Sequence, residues 1–471
     1  MPALSPFVPA LKLALVGLAA SAALQDPQAD GPPPEAKTVA TTFEMVTDVE
    51  AYQRPTWCND VDYTSWPEWQ VGKVGDAKDF TSPKMGMKTL RIAAAKVEID
   101  CNGDGKGEVE VPITGNISPV RMKIGGGDAE RDFGLLMVTG IEMDRYQGVQ
   151  TDRSIRTESG QIFFAPASSA TALIEKTPIR IFDDNFDGSF GYDWTSSYWM
   201  KWRWVGLRYE HDSTEEQPEI DCVVVGNSKR ARPWSDVQQI DGKWYRMKPS
   251  NYGRSLTYWP ITPAVGTLKL DFKGAVKPAF LIVQGADKEN ERTFFDLQEG
   301  GSSGVQVPEG RYKLFFGMLR QGKRREVQKC LILPDKAMEA VDVTAGKTAV
   351  LKLGGPLGFD FVATDDGDTV TLIGKTVGVI GAAGEHYARV WNASPRPEIN
   401  VRKVGGKKAE MSDRTELISD QDQLSKGWEY TWFPFDKTVP KKVPTEKAEV
   451  QLYEKKNKLF GEIESQWKGA L

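Results

Sequence analysis

The chain has 471 residues, of which 40% are apolar and 27% charged, and it contains 45 Gly, 28 Pro and 4 Cys. These proportions exclude a disordered tail protein and a collagen-like repeat, and the length is enough for roughly three domains of ordinary size. The formal net charge of −5 is small and evenly spread, which argues against nucleic acid or an anionic membrane as a partner.

The first 23 residues are predicted to be a secretory signal peptide. Lys12 precedes the apolar run LALVGLAASAA (residues 13–23), which ends in the small residues that a signal peptidase recognises. A membrane anchor is the alternative, but prolines interrupt the preceding stretch, and the clean run is shorter than the roughly 20 residues of a spanning helix. We therefore expect a secreted, periplasmic or cell-surface protein with no transmembrane segment after cleavage.

Residues 24–40 are predicted to be a proline-rich linker, because QDPQADGPPPEAK favours an extended, solvated chain. From residue 41 onward, apolar residues recur mainly with a period of two, in short runs separated by Gly, Pro, Asn and Asp. This pattern is typical of an all-β, multidomain protein built from β-sandwiches.

The clearest predicted strands are residues 89–99, 279–283, 312–319, 348–353, 369–373, 376–380 and 398–402. Helical periodicity is confined to residues 336–341 and to the last twenty residues. The latter also fit a hairpin that turns at Lys456 and Asn457, and we predict the hairpin. It would bring together four apolar residues: Val450, Leu452, Leu459 and Ile463.

Breaks in composition divide the chain after the linker into three units: a β-rich region at 41–260, a unit at 261–355 and a last unit at 356–471. The last unit has strand runs typical of an immunoglobulin-like sandwich. The middle unit contains VPEGRY at 307–312, which enters a predicted strand, and VDVTAGKT at 341–348, which predicts a hairpin. This pair resembles the prealbumin-like sandwiches of carboxypeptidase regulatory domains and of repeats in bacterial surface proteins. The resemblance implies a fold and no particular function.

Two acidic loops carry the strongest chemical signal. Both contain D-x-N-x-D-G, in which oxygens at positions 1, 3 and 5 converge on a hard cation, the glycine permits a sharp bend and residue 7 offers its carbonyl. The loops resemble calcium-binding loops of the EF-hand and dockerin type, which implies Ca2+ at one or two sites in a protein that resembles secreted bacterial multidomain proteins. The predicted ligands are Asp100, Asn102, Asp104, Lys106, Glu108 and Glu110 in the first loop, and Asp183, Asn185, Asp187, Ser189 and Asp193 in the second.

Both loops depart from the EF-hand pattern at its end. Position 12, a bidentate Glu in an EF-hand, is Val111 or Trp194, and each loop has an acid at position 11 instead. A β-like run precedes each loop, so we expect the loops between strands, where Glu108 and Glu110 share one face and either could reach the ion. Ordinary β-turns use the same residue types and are the alternative. The altered ligand set predicts a structural site with a dissociation constant of ~10⁻⁴ to 10⁻³ M. The acidic segment DDGD at 365–368 lacks the spacing and is predicted to be a turn.

The segment YWMKWRW at 198–204 is the next signal. On a strand, Trp199, Lys201 and Arg203 share one face, and the aromatic residues on the other face are most simply core. Trp199 and Arg203 form a candidate ligand site, because an exposed Trp can stack on a sugar ring or a cation. Polysaccharide binding is therefore the rival function, and another cell-surface protein is a further candidate partner.

The four cysteines allow three disulfide connectivities in an oxidising destination, and Cys58 with Cys101 is the first pairing to test. The sequence contains no H-E-x-x-H motif, phosphate loop or dinucleotide fingerprint. The basic runs at 229–232 and 323–325 are predicted to be exposed loop charges. The sequence thus predicts an exported, non-catalytic, calcium-stabilised structural or surface-associated binding protein, and leaves open a glycan-active enzyme that uses two carboxylates.

Overall fold

The structure, a computed structural model, describes residues 32–45, 68–71, 77–78, 89–93, 96–101, 106–112, 117–124, 130–139, 143–144, 148–149, 160–166, 168–183, 199–203, 214–218, 221–228, 230–250, 253–322, 328–391, 393–415 and 434–471. Within these residues the chain is almost entirely β, with one 3-10 turn at Gly301–Ser303. The predicted all-β, multidomain, sandwich-like fold class is confirmed. The predicted signal peptide lies outside the described residues. In the part of the chain that is described, no helix has the length and apolar character needed to cross a bilayer.

The strands up to residue 261 are β1 (Lys37–Ala40), β2 (Thr42–Met45), β3 (Glu68–Val71), β4 (Ala77–Lys78), β5 (Thr89–Ala93), β6 (Lys96–Asp100), β7 (Val109–Pro112), β8 (Ile117–Ile124), β9 (Arg131–Thr139), β10 (Met143–Asp144), β11 (Gly148–Val149), β12 (Gly160–Pro166), β13 (Ser168–Ile174), β14 (Thr177–Phe182), β15 (Trp199–Arg203), β16 (Thr214–Pro218), β17 (Cys222–Val225), β18 (Arg232–Pro233), β19 (Val237–Ile240), β20 (Lys243–Pro249) and β21 (Ser255–Ile261).

The remaining strands are β22 (Val265–Lys273), β23 (Pro278–Gly285), β24 (Phe294–Asp296), β25 (Val305–Pro308), β26 (Gly310–Gln321), β27 (Gln328–Leu333), β28 (Val341–Val343), β29 (Thr348–Gly354), β30 (Gly358–Asp365), β31 (Thr369–Ile380), β32 (His386–Trp391), β33 (Glu398–Lys403), β34 (Met411–Arg414), β35 (Lys437–Pro440), β36 (Ala448–Asn457), β37 (Gly461–Glu464) and β38 (Lys468–Gly469).

The described strands form nine sheets. Six lie in the first region: β1-β21-β20-β19, β2-β13-β14-β17-β18, β3-β12-β9-β8, β4-β5-β6-β7 and the ribbons β10-β11 and β15-β16. The other three are β25-β22-β29, a nine-stranded sheet and a C-terminal sheet in the order β34-β33-β36-β37 with β38 beside β36. The named ladders of the described strands are antiparallel except β22 with β29.

The nine-stranded sheet, β24-β23-β26-β27-β32-β31-β30 with β28 and β35 at its side, is a central layer. Alternate residues enter different hydrophobic clusters: Leu281 and Val283 lie in one, Phe280 and Ile282 in the other. The first cluster includes residues of β22, β29, β33 and β36, and the second includes residues of β13, β14, β20 and β21. Because both faces are covered there, β23, β26 and β27 each contain a continuous run of buried residues, whereas β31, toward the edge of the sheet, keeps an alternating pattern. Since β27 pairs with β32, the sheet runs across the junction predicted at 355/356.

The chain enters the fold through two short edge strands. β1 pairs with β21, and β2, after a single intervening residue, pairs with β13 in a different sheet. Residues 32–45 therefore link two sheets, and β1 occupies the end of the segment that was expected to be a solvated linker.

Three predicted elements were wrong in detail. Residues 89–99 are two antiparallel strands, because Ala93 pairs with Lys96, and a period of two does not reveal such a tight reversal. Residues 369–380 are one strand, β31, interrupted by an irregularity at which Thr376 Oγ1 donates to the Ile373 carbonyl. Residues 341–348 are a corner, because β28 pairs with β26 whereas β29 pairs with β22 in another sheet.

The C-terminal hairpin is confirmed. β36 and β37 are antiparallel, and the chain reverses at residues 458–460, slightly beyond the predicted turn. The four apolar residues assigned to its inner face, Val450, Leu452, Leu459 and Ile463, are all 0% exposed. Residues 336–341, the other helical candidate, form a turn that leads into β28.

Candidate functional site

The first acidic loop joins two strands, as predicted. β6 and β7 are antiparallel, with Glu98 opposite Glu110 and Ile99 opposite Val109, and the Glu108 amide donates to the Ile99 carbonyl at 3.0 Å. The acids at the end of the loop, Glu108 and Glu110, thus lie just before and on the second strand of a β-hairpin. Asn102 and Asp104 lie outside the described residues.

One face of this hairpin is acidic and the other is apolar. Because side chains alternate along a strand, the register places Glu98 and Asp100 on the same face as Glu108 and Glu110. On the opposite face, Ile99 and Val111 are buried. This acidic face, defined by the four carboxylates, has Lys96 and Arg91 as the cations at its register positions. Acids outnumber these bases by two to one, which leaves like-charge repulsion across the strands.

Glu108, just before β7, and Glu110, on β7, have different partners. Lys96 donates a hydrogen bond to Glu110 and lies 3.0 Å from Glu98, and its bonds to these carboxylates, first to Glu110 and then to Glu98, raise the pKa of Lys96. Glu108 Oε2 instead accepts the Cys101 amide at 2.7 Å, at the entrance to the loop. The Glu108 carboxylate therefore contacts the start of the loop at Cys101, and the Glu110 carboxylate contacts Lys96 of β6. The sequence alone does not distinguish which of these two glutamates reaches an ion.

Asp100 and Asp183, the first residues of the two motifs, are both buried, at 5% and 1% exposure. Asp183 follows β14 directly, so the second loop also begins at the end of a strand. Asn185, Asp187, Ser189 and Asp193 lie outside the described residues. Lys106 is exposed. Among the residues that the structure describes, no three His, Cys, Asp or Glu side chains are grouped closely enough to hold a metal ion.

The described cysteines are buried at three separate places in the fold: Cys101, Cys222 and Cys330. No disulfide joins any two of them. Burial, followed by the negative charges of Glu108 and Asp100, raises the pKa of Cys101 to about 12, so its thiol stays protonated and unreactive at neutral pH. Cys58, its predicted partner, lies outside the described residues.

The aromatic segment forms a two-stranded ribbon. β15 pairs with β16, and Trp199, Lys201 and Arg203 are opposite Pro218, Glu216 and Thr214. The candidate ligand residues Trp199 and Arg203 thus occupy alternate positions of one strand, as the sequence indicated.

The basic run at 229–232, predicted to be exposed loop charge, includes the exposed Arg230 and, on β18, Arg232, and both arginines form ion pairs. Arg230 Nη2 lies 2.5 Å from Asp296 Oδ2, and Arg232 Nε lies 3.0 Å from Glu299 Oε2. A third pair, Arg292 Nε to Asp236 Oδ2 at 2.8 Å, completes a set that joins residues 230–236 to residues 292–299. We call these six residues the charge cluster. In the sequence, the two acids of these pairs, Asp296 and Glu299, follow directly on the apolar residues of β24 in the segment TFFDLQE. The run at 323–325 lies outside the described residues.

The charge cluster contains two neighbouring carboxylates, which is the composition of a glycosidase site. The Asp296 side chain is only 2% exposed, however, so it cannot touch a polysaccharide. The adjacent GGSSG segment (300–304) has the G-x-S-x-G spacing of a hydrolase nucleophile, but it forms a 3-10 turn between β24 and β25, not the strand-to-helix elbow of such enzymes. The cluster is therefore a structural junction.

The DDGD segment is a turn, as predicted. Gly367 adopts a φ of +90°, and its amide donates to Asp365 Oδ1 at 3.0 Å between β30 and β31. One of its acids, Asp365, also forms an ion pair with Lys441, whereas Asp366 and Asp368 are exposed.

No family model, curated protein or solved structure was found to match this chain, so the interpretation of these sites rests on their own geometry.

Proposed function

We propose that the protein is an exported, non-catalytic structural or surface-associated binding protein whose first region is stabilised by calcium. The observation that carries the proposal is the acidic face of the β6–β7 hairpin, where four carboxylates adjoin a D-x-N-x-D-G bend. Oxygen-rich loops of this kind suit Ca2+, which accepts six to eight oxygen ligands in flexible geometry.

Bound calcium would remove the repulsion on the acidic face and restrain the loop. For a site with the expected weak affinity, an ion concentration ten- to a hundredfold above the dissociation constant contributes about 1–3 kcal/mol. This is a large share of the stability of an ordinary domain, which is about 5–15 kcal/mol.

Thermal unfolding of the full chain, with calcium or with a chelator, tests the proposal. We expect calcium to raise the melting temperature by about 2–4 °C per kcal/mol of binding energy. At least one of the variants Asp100→Asn and Asp183→Asn should reduce that rise, and both should if both loops bind, whereas Asp366→Asn, an exposed acid of the DDGD turn, should leave it unchanged. A melting temperature that is the same with calcium and chelator would contradict the proposal.

The different partners of Glu108 and Glu110 give a more specific test of which glutamate serves the ion. Glu108→Gln should weaken the calcium response, because its carboxylate is directed to the bend. Glu110→Gln should have the smaller effect, because its carboxylate already pairs with Lys96. Equal losses for the two variants would contradict this assignment.

Polysaccharide binding through Trp199 and Arg203 is the second candidate, supported by their alternate positions on β15. It predicts retention of the protein on an insoluble polysaccharide, which Trp199→Ala should abolish without changing the circular dichroism spectrum. Failure to bind any member of a broad glycan panel would remove this candidate.

A further inference from the structure

The four-stranded sheet β1-β21-β20-β19 has one face that is only partly covered. On its covered face, Tyr245, Met247 and Tyr258 belong to the second of the two hydrophobic clusters. The alternate residues lie on the opposite face, where Trp244 packs edge-on against Phe295, with ring centroids 6.3 Å apart. Beyond that contact, the second face carries four residues that are half-buried or exposed, which we call the cationic face: Arg246, Lys248, Thr257 and Trp259.

The strand register places the residues of the cationic face side by side. Arg246 is directly opposite Trp259, and Lys248 is directly opposite Thr257. Directly opposite residues of antiparallel strands have Cβ atoms about 4.5–5.5 Å apart. Thr257 Oγ1 lies 2.9 Å from Thr38 Oγ1 of β1, so hydroxyl groups continue the row across the sheet. An indole, two cations and two hydroxyls therefore share a patch about 10 Å across.

The positive charge of this face is not balanced by carboxylates. Within the described ranges, the side chain of Arg246 forms no hydrogen bond or ion pair, and neither does that of Lys248. The acid whose charge acts on Arg246 is Asp236, and Asp236 Oδ2 already lies 2.8 Å from Arg292 Nε. Asp236 Oδ1 accepts the indole N–H of Trp234 at 3.2 Å.

Three cations thus surround one carboxylate that is already paired. Burial lowers the pKa of Arg246, the charge of Asp236 opposes that effect, and the like charge of Arg292 adds to it. Because an arginine side chain stays protonated in proteins, the excess positive charge must be compensated by solvent ions or by an anionic ligand.

We propose that the cationic face binds a polysaccharide built from uronic acids. The planar guanidinium of Arg246 matches a carboxylate through two parallel hydrogen bonds. The indole of Trp259, directly across the strand pair, offers a flat apolar surface on which a pyranose ring stacks. Lys248 and the neighbouring hydroxyls of Thr257 and Thr38 meet the carboxylate and hydroxyl groups of the next ring.

The indole favours a sugar over an acidic polypeptide. Both ligands carry carboxylates, but a flexible acidic side chain has no ring to stack on Trp259. The proposed site is separate from Trp199 and Arg203 on β15 and from the two acidic loops, so it depends on neither candidate function proposed above.

Calorimetric titration of the full chain in calcium-free buffer at low salt tests the proposal. Oligomers of galacturonic acid or of alginate should bind, and added salt should weaken the binding, because both cations are in contact with solvent. Fully methyl-esterified galacturonate oligomers keep the rings and lose the charge, and they should bind about tenfold more weakly or not at all. This comparison uses the unmodified chain and does not depend on whether any variant folds.

Substitutions then locate the ligand. Arg246→Gln should weaken binding about ten- to a hundredfold, and Arg246→Lys should weaken it less, because the charge remains while the paired hydrogen bonds are lost. Trp259→Ala should weaken binding about three- to tenfold. Lys243→Gln removes an exposed positive charge at the start of the same strand, outside the cationic face, and should change nothing.

Each contrary result overturns the proposal. Failure of both uronic acid oligomers to bind would do so, as would equal affinities for the acid and its methyl ester. Binding that is unaltered in Arg246→Gln or in Trp259→Ala would place the ligand elsewhere on the chain. Polyglutamate bound as tightly as the galacturonate oligomers would show that the face recognises charge alone and takes an acidic polypeptide equally well. None of these outcomes depends on whether calcium binds.

Discussion

Glu385 shows how this fold handles a fully buried carboxylate. The residue is 0% exposed, and its oxygens accept the amides of Gly354 at 2.5 Å and Ala383 at 3.1 Å and the hydroxyl of Tyr387 at 3.0 Å. The carboxylate thus satisfies donors from β29, β32 and the turn before β32. Burial, and then the charge of Glu385, strongly raises the pKa of Tyr387, so the tyrosine remains a donor.

Glu385→Ala should be strongly destabilising, because it leaves two amides and a hydroxyl without their acceptor in the interior. We expect a loss of about 3 kcal/mol or more, measured as the free energy of unfolding in urea. Glu339→Ala, at an exposed position, should change it by less than about 0.5 kcal/mol. A loss at Glu385 no larger than that of the control would contradict the hydrogen-bond assignment.

The pKa of Asp365, in the turn between β30 and β31, is lower than that of a free aspartate. Burial opposes its ionisation, but hydrogen bonds from Lys441, Gly367 and Ala448 outweigh burial and lower its pKa. A lowered folded-state pKa contributes stability that is present above the unfolded value of 3.8 and is lost as the pH falls through the folded value.

Asp365→Asn should therefore destabilise the protein at pH 7, and the difference from the unmodified chain should shrink as the pH falls below 3.8. Urea midpoints measured at a series of pH values check this. A difference that stays constant down to pH 2 would show that Asp365 acts through something other than its charge.

At the scale of elements, the C-terminal sheet has one buried face and one solvent-facing side. Along β36, Leu452 is 0% exposed, whereas its neighbour Gln451 donates to Glu464 at 2.8 Å on the outer face. Leu452→Ala should cost about 2–5 kcal/mol, since it leaves a cavity, and Gln451→Ala should cost about 1 kcal/mol or less. Chemical denaturation of both variants measures this contrast, and similar losses would place the strand between two buried faces.

An element can be predicted from the sequence when the residues within it are enough to determine its structure. The hairpin of β36 and β37 could be predicted, because its four inner residues already alternate correctly around a turn. The partners of β28 and β29 could not, since a strand's own residues do not say which distant strand it will pair with. The break within residues 89–99 was missed for a related reason: both arms of that hairpin continue the same alternation.

The candidate site, too, could be predicted from the sequence only in part. The position of the first acidic loop between two strands follows from the apolar runs on either side of it. The separate roles of Glu108 and Glu110 depend on Lys96 and the Cys101 amide, whose contacts exist only once β6 and β7 are in register. The charge cluster was hidden because its members are about sixty residues apart in the chain.

At the scale of the molecule, the nine-stranded sheet lies between two hydrophobic clusters. Leu331 and Ile332 are neighbours on β27, yet they belong to different clusters, and both are buried. Leu331→Ala and Ile332→Ala should each cost about 2–5 kcal/mol, in contrast to the one-sided pattern of β36. A small effect at either position, measured by chemical denaturation, would show that one face of the central layer is not packed.

Direct calcium binding to the full chain is the most decisive measurement, because the proposed function depends on it. Equilibrium dialysis of chelator-treated protein should show one or two bound ions with a dissociation constant of ~10⁻⁴ to 10⁻³ M. If both loops bind, Asp100→Asn and Asp183→Asn should each remove one ion; if one loop binds, only one of the two variants should remove it. Asp366→Asn should remove none. Uptake that is absent, or that neither loop variant reduces, would contradict the account.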